Sequence, residues 1–213
     1  MKALGQPCRQ AGLGIAQVNA GHANLRESQF LGPGLQPAPQ VHTIDQHPCP
    51  LINSGMVHTE QWPDEAATIA SAQRMAERLR GLPVAGDAIV HLHGDLGSGK
   101  TTWVRHLLMA LGVLGRIKSP TYAVVEPHST QLATGALAIW HFDFYRFTDP
   151  QEWEDAGFRD VFATPGLKLC EWPQNAGPAL PAPDVSMQLQ WTGDTSRRVD
   201  WRALSARGEA LLA

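Results

Sequence analysis

Residues 94–102 read Gly-Asp-Leu-Gly-Ser-Gly-Lys-Thr-Thr, and their types and spacing suit the holding of a chain of phosphates. Gly94, Gly99, Lys100 and Thr101 fill every fixed position of the pattern G-x-x-x-x-G-K-[ST]. Gly97 and Gly99 let the backbone turn so that successive N–H groups face phosphate oxygens, and a helix starting there adds the partial positive charge of its N-terminus. Lys100 is then placed to bridge the β- and γ-phosphates, and the Thr101 hydroxyl to ligate Mg²⁺.

Such a loop also needs an acid for the magnesium, usually at the end of a neighbouring apolar strand. Two carboxylates qualify. Asp143 follows an apolar run in LAIWHFDFYR, where His141, Asp143 and Tyr145 share one strand face. Glu171 ends the second apolar run, LKLCEW. The residues alone leave the division of roles between them open. Lys118-Ser119-Pro120-Thr121-Tyr122 adds a proline-fixed turn with two hydroxyls that suit contact with a γ-phosphate. Other polar features read as structural. His91 and His93 share a strand face without a third ligand, and Arg197-Arg198 reads as a solvated basic pair. Trp103, Trp140 and Trp191 fall at core-compatible positions, whereas Trp172, next to Glu171, is placed to report on the nucleotide site.

These side chains need elements to position them. Pro63-Asp64-Glu65 opens a helix whose apolar positions Ile69, Ala72, Ala76 and Leu79 recur at helical spacing, with an acidic start and a basic end. AIVHLH, 88–93, is a short strand running into Gly94, and a helix follows with Val104, Leu107, Leu108 and Leu111 on one face and Gly112 as its stop. Strand, glycine loop and helix are the context the phosphate pattern requires. TYAVVEP and ALAIWHFDFY read as strands, as does LKLCEW. TDPQEWEDAGFRDVF reads as a helix with Asp149 as N-cap, Pro150 at its first position and Glu152 closing a capping box. VSMQLQW alternates, with Val185, Met187, Leu189 and Trp191 on one face; RRVDW pairs with it as a hairpin and ALSARGEALLA closes the chain as a helix. The expected fold is α/β: a P-loop NTPase-like sandwich with a mixed parallel and antiparallel sheet flanked by helices.

Composition bounds the function. The 213 residues carry 43% hydrophobic and 17% charged side chains, the balance of a soluble domain with a substantial core. A net charge of −3 supplies no field to hold a polyanion unaided. The apolar runs are too short for a membrane span and no secretory leader is evident, so a cytoplasmic protein is expected. Cys8, Cys49 and Cys170 lack metal-ligand spacing, which agrees with a reducing compartment. Residues 1–55, rich in Gly, Pro, Gln and Asn, read as a disordered extension ahead of a folded domain over 56–213, with Met56 a candidate true start.

The order GDLGSGKTT, KSPTY, HFDFYR, EWPQ resembles the TsaE (YjeE) family of small bacterial P-loop ATPases, from about Trp62 to the C-terminus. The resemblance implies ATP hydrolysis in support of threonylcarbamoyladenosine formation beside the anticodon of tRNA, together with the TsaD and TsaB proteins and reaching tRNA only through them. It implies nucleotide contacts from Asp95, Leu96, Gly97, Ser98, Gly99, Lys100, Thr101 and Thr102, with Glu65 near the adenine. It further implies Mg²⁺ on Thr101 and Glu171, Asp143 beside the γ-phosphate to position the attacking water, and Thr121 as the contact of a switch-like SPTY loop. Weak basal turnover stimulated by the partners is expected. Two other functions share the loop. A small-molecule kinase would usually carry an arginine-rich lid, and the stretch from Phe147 to Pro173 has Arg159 alone. A non-catalytic nucleotide-dependent binding module would need no acid at Asp143.

Overall fold

The short apolar run at 88–93 forms the strand expected of it, buried along most of its length, and the rest of the sheet is built around it. The computed structural model describes residues 56–213 apart from 83, 85 and 150. The expectations for residues 1–55, Met56 as a start among them, and for Pro150 at a helix start fall outside these. The elements in chain order are β1 (Val57–Trp62), α1 (Glu65–Arg80), β2 (Ala88–His93), α2 (Lys100–Leu111), β3 (Val125–Leu132), β4 (Gly135–Asp143), α3 (Gln151–Asp155), α4 (Phe158–Ala163), β5 (Leu167–Glu171), a 3₁₀ segment (Pro173–Ala179), β6 (Val185–Trp191), β7 (Arg197–Ala203) and α5 (Ala206–Leu212).

All seven strands form one sheet in the order β1-β7-β6-β2-β5-β4-β3. The central pairs β6–β2, β2–β5 and β5–β4 are parallel, while β1–β7, β7–β6 and β4–β3 are antiparallel, so the sheet is mixed as expected. Each face has its own core. Val90, Leu92, Leu169, Met187, Val199 and Trp201 pack with Leu79 of α1, Trp103 and Leu107 of α2 and Leu211 of α5. On the other face Phe142 of β4 and Phe144, just past its end, pack with Trp153 of α3 and Phe158 of α4. Phe158 meets Phe142 edge-on at 5.2 Å between ring centroids, and Trp153 meets Phe144 edge-on at 5.9 Å. Truncating one such ring costs about 3–5 kcal/mol in a typical core.

Helix ends follow their local chemistry. The Asp64 carboxylate caps α1 by accepting from Ala67 N at 2.9 Å, and Gly112 in the left-handed region ends α2. Thr68, Ser71 and Met75 join Ala72, Ala76 and Leu79 on the buried face of α1, while Ile69 is only half-buried.

Three expectations need correction. Thr121–Val124 is a turn, not strand: Val124 N bonds Pro120 O at 2.7 Å and Val124 takes φ 66°, so β3 starts only at Val125. The helix expected across 149–162 breaks in two at Gly157, at φ 70°, although Glu152 Oε1 does accept from Thr148 N and Asp149 N as a capping-box acid should. Strand β1 was not anticipated. It has polar side chains along most of its length, with only Trp62 buried.

Candidate functional site

Parallel pairing brings the C-terminal ends of β2, β5 and β4 side by side, which is where open α/β sheets place their ligands. The glycine loop leaves β2 through Gly94 at φ 140°. A Cβ there would stand 2.6 Å from Leu189 O and 2.8 Å from Ser98 Oγ, so only glycine fits. The loop enters α2 through Gly99, also left-handed at φ 111°, and no side chain caps the helix. The first turn of α2 thus presents its N–H groups to an incoming anion.

Lys100 is folded back on the loop. Its Nζ donates to Gly94 O at 2.6 Å and Asp95 O at 2.9 Å, and stands 4.1 Å from the centroid of the Trp172 ring. Burial pulls its pKa below the usual lysine value, and the carboxylates of Glu171, Asp143 and Asp95 oppose that shift. Trp172 itself takes φ 56°, ψ 45°, an unusual conformation for a side chain of its size, with its ring also 5.0 Å from that of Tyr145.

The two acids sit opposite each other, Asp143 of β4 pairing in register with Glu171 of β5. Each is held by a threonine. Thr101 Oγ1 lies 2.8 and 2.9 Å from the two Glu171 oxygens, and Thr121 Oγ1 donates to Asp143 Oδ2 at 2.7 Å. Tyr145 N donates to Asp143 Oδ1 at 3.0 Å, and Ser119 Oγ lies 2.8 Å from Thr121 Oγ1. The SPTY turn is fastened to β4 by Asp143 N bonding Val124 O at 2.9 Å.

Two cavities flank the loop. One of about 280 Å³ is lined by Lys100, Thr101, Thr121, Asp143, Glu171 and Trp172 among others. The other, of about 410 Å³, is lined by Trp62, Glu65, Thr68, Arg105, Asp194 and Arg197 among others, and shares Gly97, Gly99 and Thr102 with the first. The sequence-selected Leu96, Gly97, Gly99, Lys100, Thr101, Thr102, Thr121, Asp143 and Glu171 therefore converge on the first cavity, and Glu65 and Ser98 line the second. Glu65 Oε1 lies 3.0 Å from His106 Nε2. Asp95 lines neither cavity and takes part through its carbonyl, which receives Lys100 Nζ and Ser98 N.

Arg197 is not the solvated residue its sequence context suggested. Its Nε donates to Ser98 O at 2.8 Å and its guanidinium lies 3.5 Å from the Trp191 ring centroid, bracing the loop from β7. The signal was the pairing of Trp191 with Arg197 across the hairpin, legible only once the register is known. Trp191 accordingly sits past the core edge, 46% exposed. Arg198 does fit its reading, paired with Asp200 at 3.1 Å on the surface. His91 and His93 belong to no cluster of three metal-ligating side chains among the described residues. No described helix is long and apolar enough to cross a membrane.

Sheet order, glycine loop and paired acids together define an α/β protein with a glycine loop of the pattern G-x-x-x-x-G-K-[ST] at the ends of its parallel strands. Residues 62–199 match the family described as "Threonylcarbamoyl adenosine biosynthesis protein TsaE", and the chain belongs to that family. The tRNA threonylcarbamoyladenosine biosynthesis protein TsaE of Haemophilus influenzae is 35% identical over 155 residues, 73% of this chain and 95% of the relative. The protein of the same name from Bacillus subtilis is 32% identical over 126 residues, 59% of this chain and 75% of the relative. The crystal structure of Bacillus subtilis YdiB superposes with a TM-score of 0.55 at 26% identity, covering 75% of this chain and 95% of that one. The chain's role is thus in the formation of threonylcarbamoyladenosine in tRNA.

Proposed function

We propose that the chain hydrolyses ATP with Mg²⁺, slowly alone and faster with TsaD and TsaB, to sustain the modification of tRNA. The observation that carries this reading is the convergence of Lys100, the Thr101–Glu171 pair and the Thr121–Asp143 pair on one cavity at the mouth of the glycine loop.

The donor set fits magnesium. A hydroxyl and a carboxylate are hard oxygen ligands, and this cation takes only one or two protein ligands beside substrate phosphates. Thr101 and Glu171 would hold it, and when bound it would neutralise charge on the β- and γ-phosphate oxygens. The chain's own groups do the rest. Loop N–H groups and the uncapped start of α2 receive the phosphates, while the second cavity, with Glu65 and Arg197, accommodates the nucleoside. Lys100 exchanges its two carbonyl acceptors for phosphate oxygens. Thr121 turns its hydroxyl from Asp143 to the γ-phosphate, and the freed Asp143 Oδ2 accepts a hydrogen bond from the attacking water. Water adds to the γ-phosphorus as the bond to the bridging oxygen breaks, giving ADP and phosphate. Because phosphoryl transfer to water rests on positioning and charge stabilisation, an incomplete site turns over slowly and a docked partner can complete it.

The test is phosphate release from ATP by the full chain with Mg²⁺, with and without the TsaD–TsaB pair. Stimulation by the pair, reduced at least about 100-fold by Lys100→Ala, is the expected result. Equal rates with and without the pair would remove the partner-gated reading.

A further inference from the structure

His141 lies on the face of β4 that carries Leu137 and Ile139, and none of its surface reaches solvent. A third aliphatic side chain would complete that row without leaving a polar atom behind. The imidazole instead places Nε2 2.8 Å from Glu171 Oε1, and its Nδ1 is buried with no hydrogen-bond partner among the described residues. A carboxylate oxygen accepts, so Nε2 carries the proton in this contact. A buried, unpaired ring nitrogen is a cost the core alone gives no reason to bear, and such an atom in a well-packed fold calls for a functional cause.

We infer that His141 is a positioning residue for Glu171: its Nε2–H fixes Oε1 and leaves Oε2, now shared with Thr101, for the cation. Glu171 reaches the cavity on a side chain with three rotatable bonds, and Thr101 alone cannot fix it, because the Thr101 hydroxyl is itself assigned to the cation and lies within bonding distance of both carboxylate oxygens. The histidine is the contact that persists when Thr101 turns away. Its rigidity comes from β4: parallel pairing sets His141 against Leu169, one side-chain step before Glu171 on the same face, so the ring reaches the carboxylate diagonally across the strand pair. The inference rests on the reading of Glu171 as a magnesium ligand.

The experiment is calorimetric titration of ADP into the full chain at stepped Mg²⁺ concentrations and in EDTA, with thermal midpoints measured alongside. His141→Leu should raise the Mg²⁺ concentration needed for half-maximal enhancement of ADP binding by about tenfold or more, the usual scale for a lost outer-shell partner. Its ADP affinity in EDTA and its thermal midpoint should match the wild type, since the row stays filled and an unpaired polar atom is removed. His141→Gln, whose amide extends to the Nε2 position, should recover most of the magnesium response; His141→Asn, whose amide stops short, should not. An unchanged magnesium midpoint in His141→Leu overturns the inference. So does a glutamine variant no better than asparagine, or a loss of ADP affinity in EDTA equal to the loss with magnesium, which marks a merely structural role. If wild-type ADP binding ignores magnesium altogether, the reading of Glu171 falls and the inference falls with it.

Discussion

At the scale of single residues the proposed function makes the site a set of contacts that a nucleotide must exchange rather than create. Lys100, Thr101 and Thr121 each already have a partner, so on the proposed reading Lys100 and Thr121 swap carbonyl and carboxylate acceptors for phosphate oxygens, and Thr101 gives up its carboxylate contact for the cation. On the proposed reading, Asp143 is the residue whose contact with Thr121 must open before it can face water. Asp143→Asn keeps the shape and a hydrogen bond to Thr121 but loses the anionic acceptor. Turnover should fall by about 100-fold or more while ATP affinity stays within roughly twofold, as read by phosphate release and calorimetry. Gly94→Ala tests the backbone instead. With φ at 140° and Leu189 O 2.6 Å from the added carbon, it should lower stability by more than about 2 kcal/mol in urea denaturation and loosen the loop with it. Most of these residues were legible in the sequence because a phosphate loop constrains type and spacing together. His141 was seen to share a face with Asp143, but its contact with Glu171 depends on β4 and β5 being parallel neighbours, which no local spacing encodes. Arg197 was misread for the same reason, since its partners Ser98 and Trp191 are brought to it by the loop and the hairpin.

Among the elements, those with strong periodicity formed where the pattern placed them. Strand β2 matches it residue for residue, α2 ends at Gly112 as expected, and α1 starts at the acid that was expected to open it. Errors fell where tertiary contacts overrule local pattern: the SPTY turn is closed by Pro120 O and tied to β4, and polar β1 is strand because it extends the sheet beside β7. One residue joins several elements. Asp184 Oδ2 accepts from Ile89 N at 2.9 Å at the start of β2, and its Oδ1 accepts from Ser205 Oγ, the N-cap of α5, at 2.5 Å. Arg207 adds an ion pair at 3.3 Å. Asp184→Ala strands a half-buried backbone donor and unpins α5 at once, so a loss of about 2–4 kcal/mol is expected from the shift of the urea midpoint.

For the whole molecule, buried histidines make stability depend on pH in a fixed direction. Burial, with help from His93, pushes the His91 pKa from 6.5 down to about 4, and burial also lowers His93 and His128. An unfolded chain protonates these rings near 6.5 while the folded chain resists. Between those values the unfolded state binds more protons, so stability is full above pH 6.5 and falls as pH drops toward 4. His91 alone accounts for at most about 3 kcal/mol of that loss. Urea midpoints at pH 7.5, 5.5 and 4.5 should fall in that order, and His91→Leu should flatten the slope. A profile level across this range would contradict the assignment.

The register that sets Asp143 beside Glu171 also decides which face of β4 meets which core. Shifting β4 by a single residue would turn His141 and Asp143 into the aromatic cluster and Phe142 out toward α1 and α2. No partly misaligned chain can then be well packed and competent at once. Specific activity after refolding therefore counts the molecules that aligned their strands correctly, and a batch with native-like helix content but a low count has failed at one strand rather than throughout.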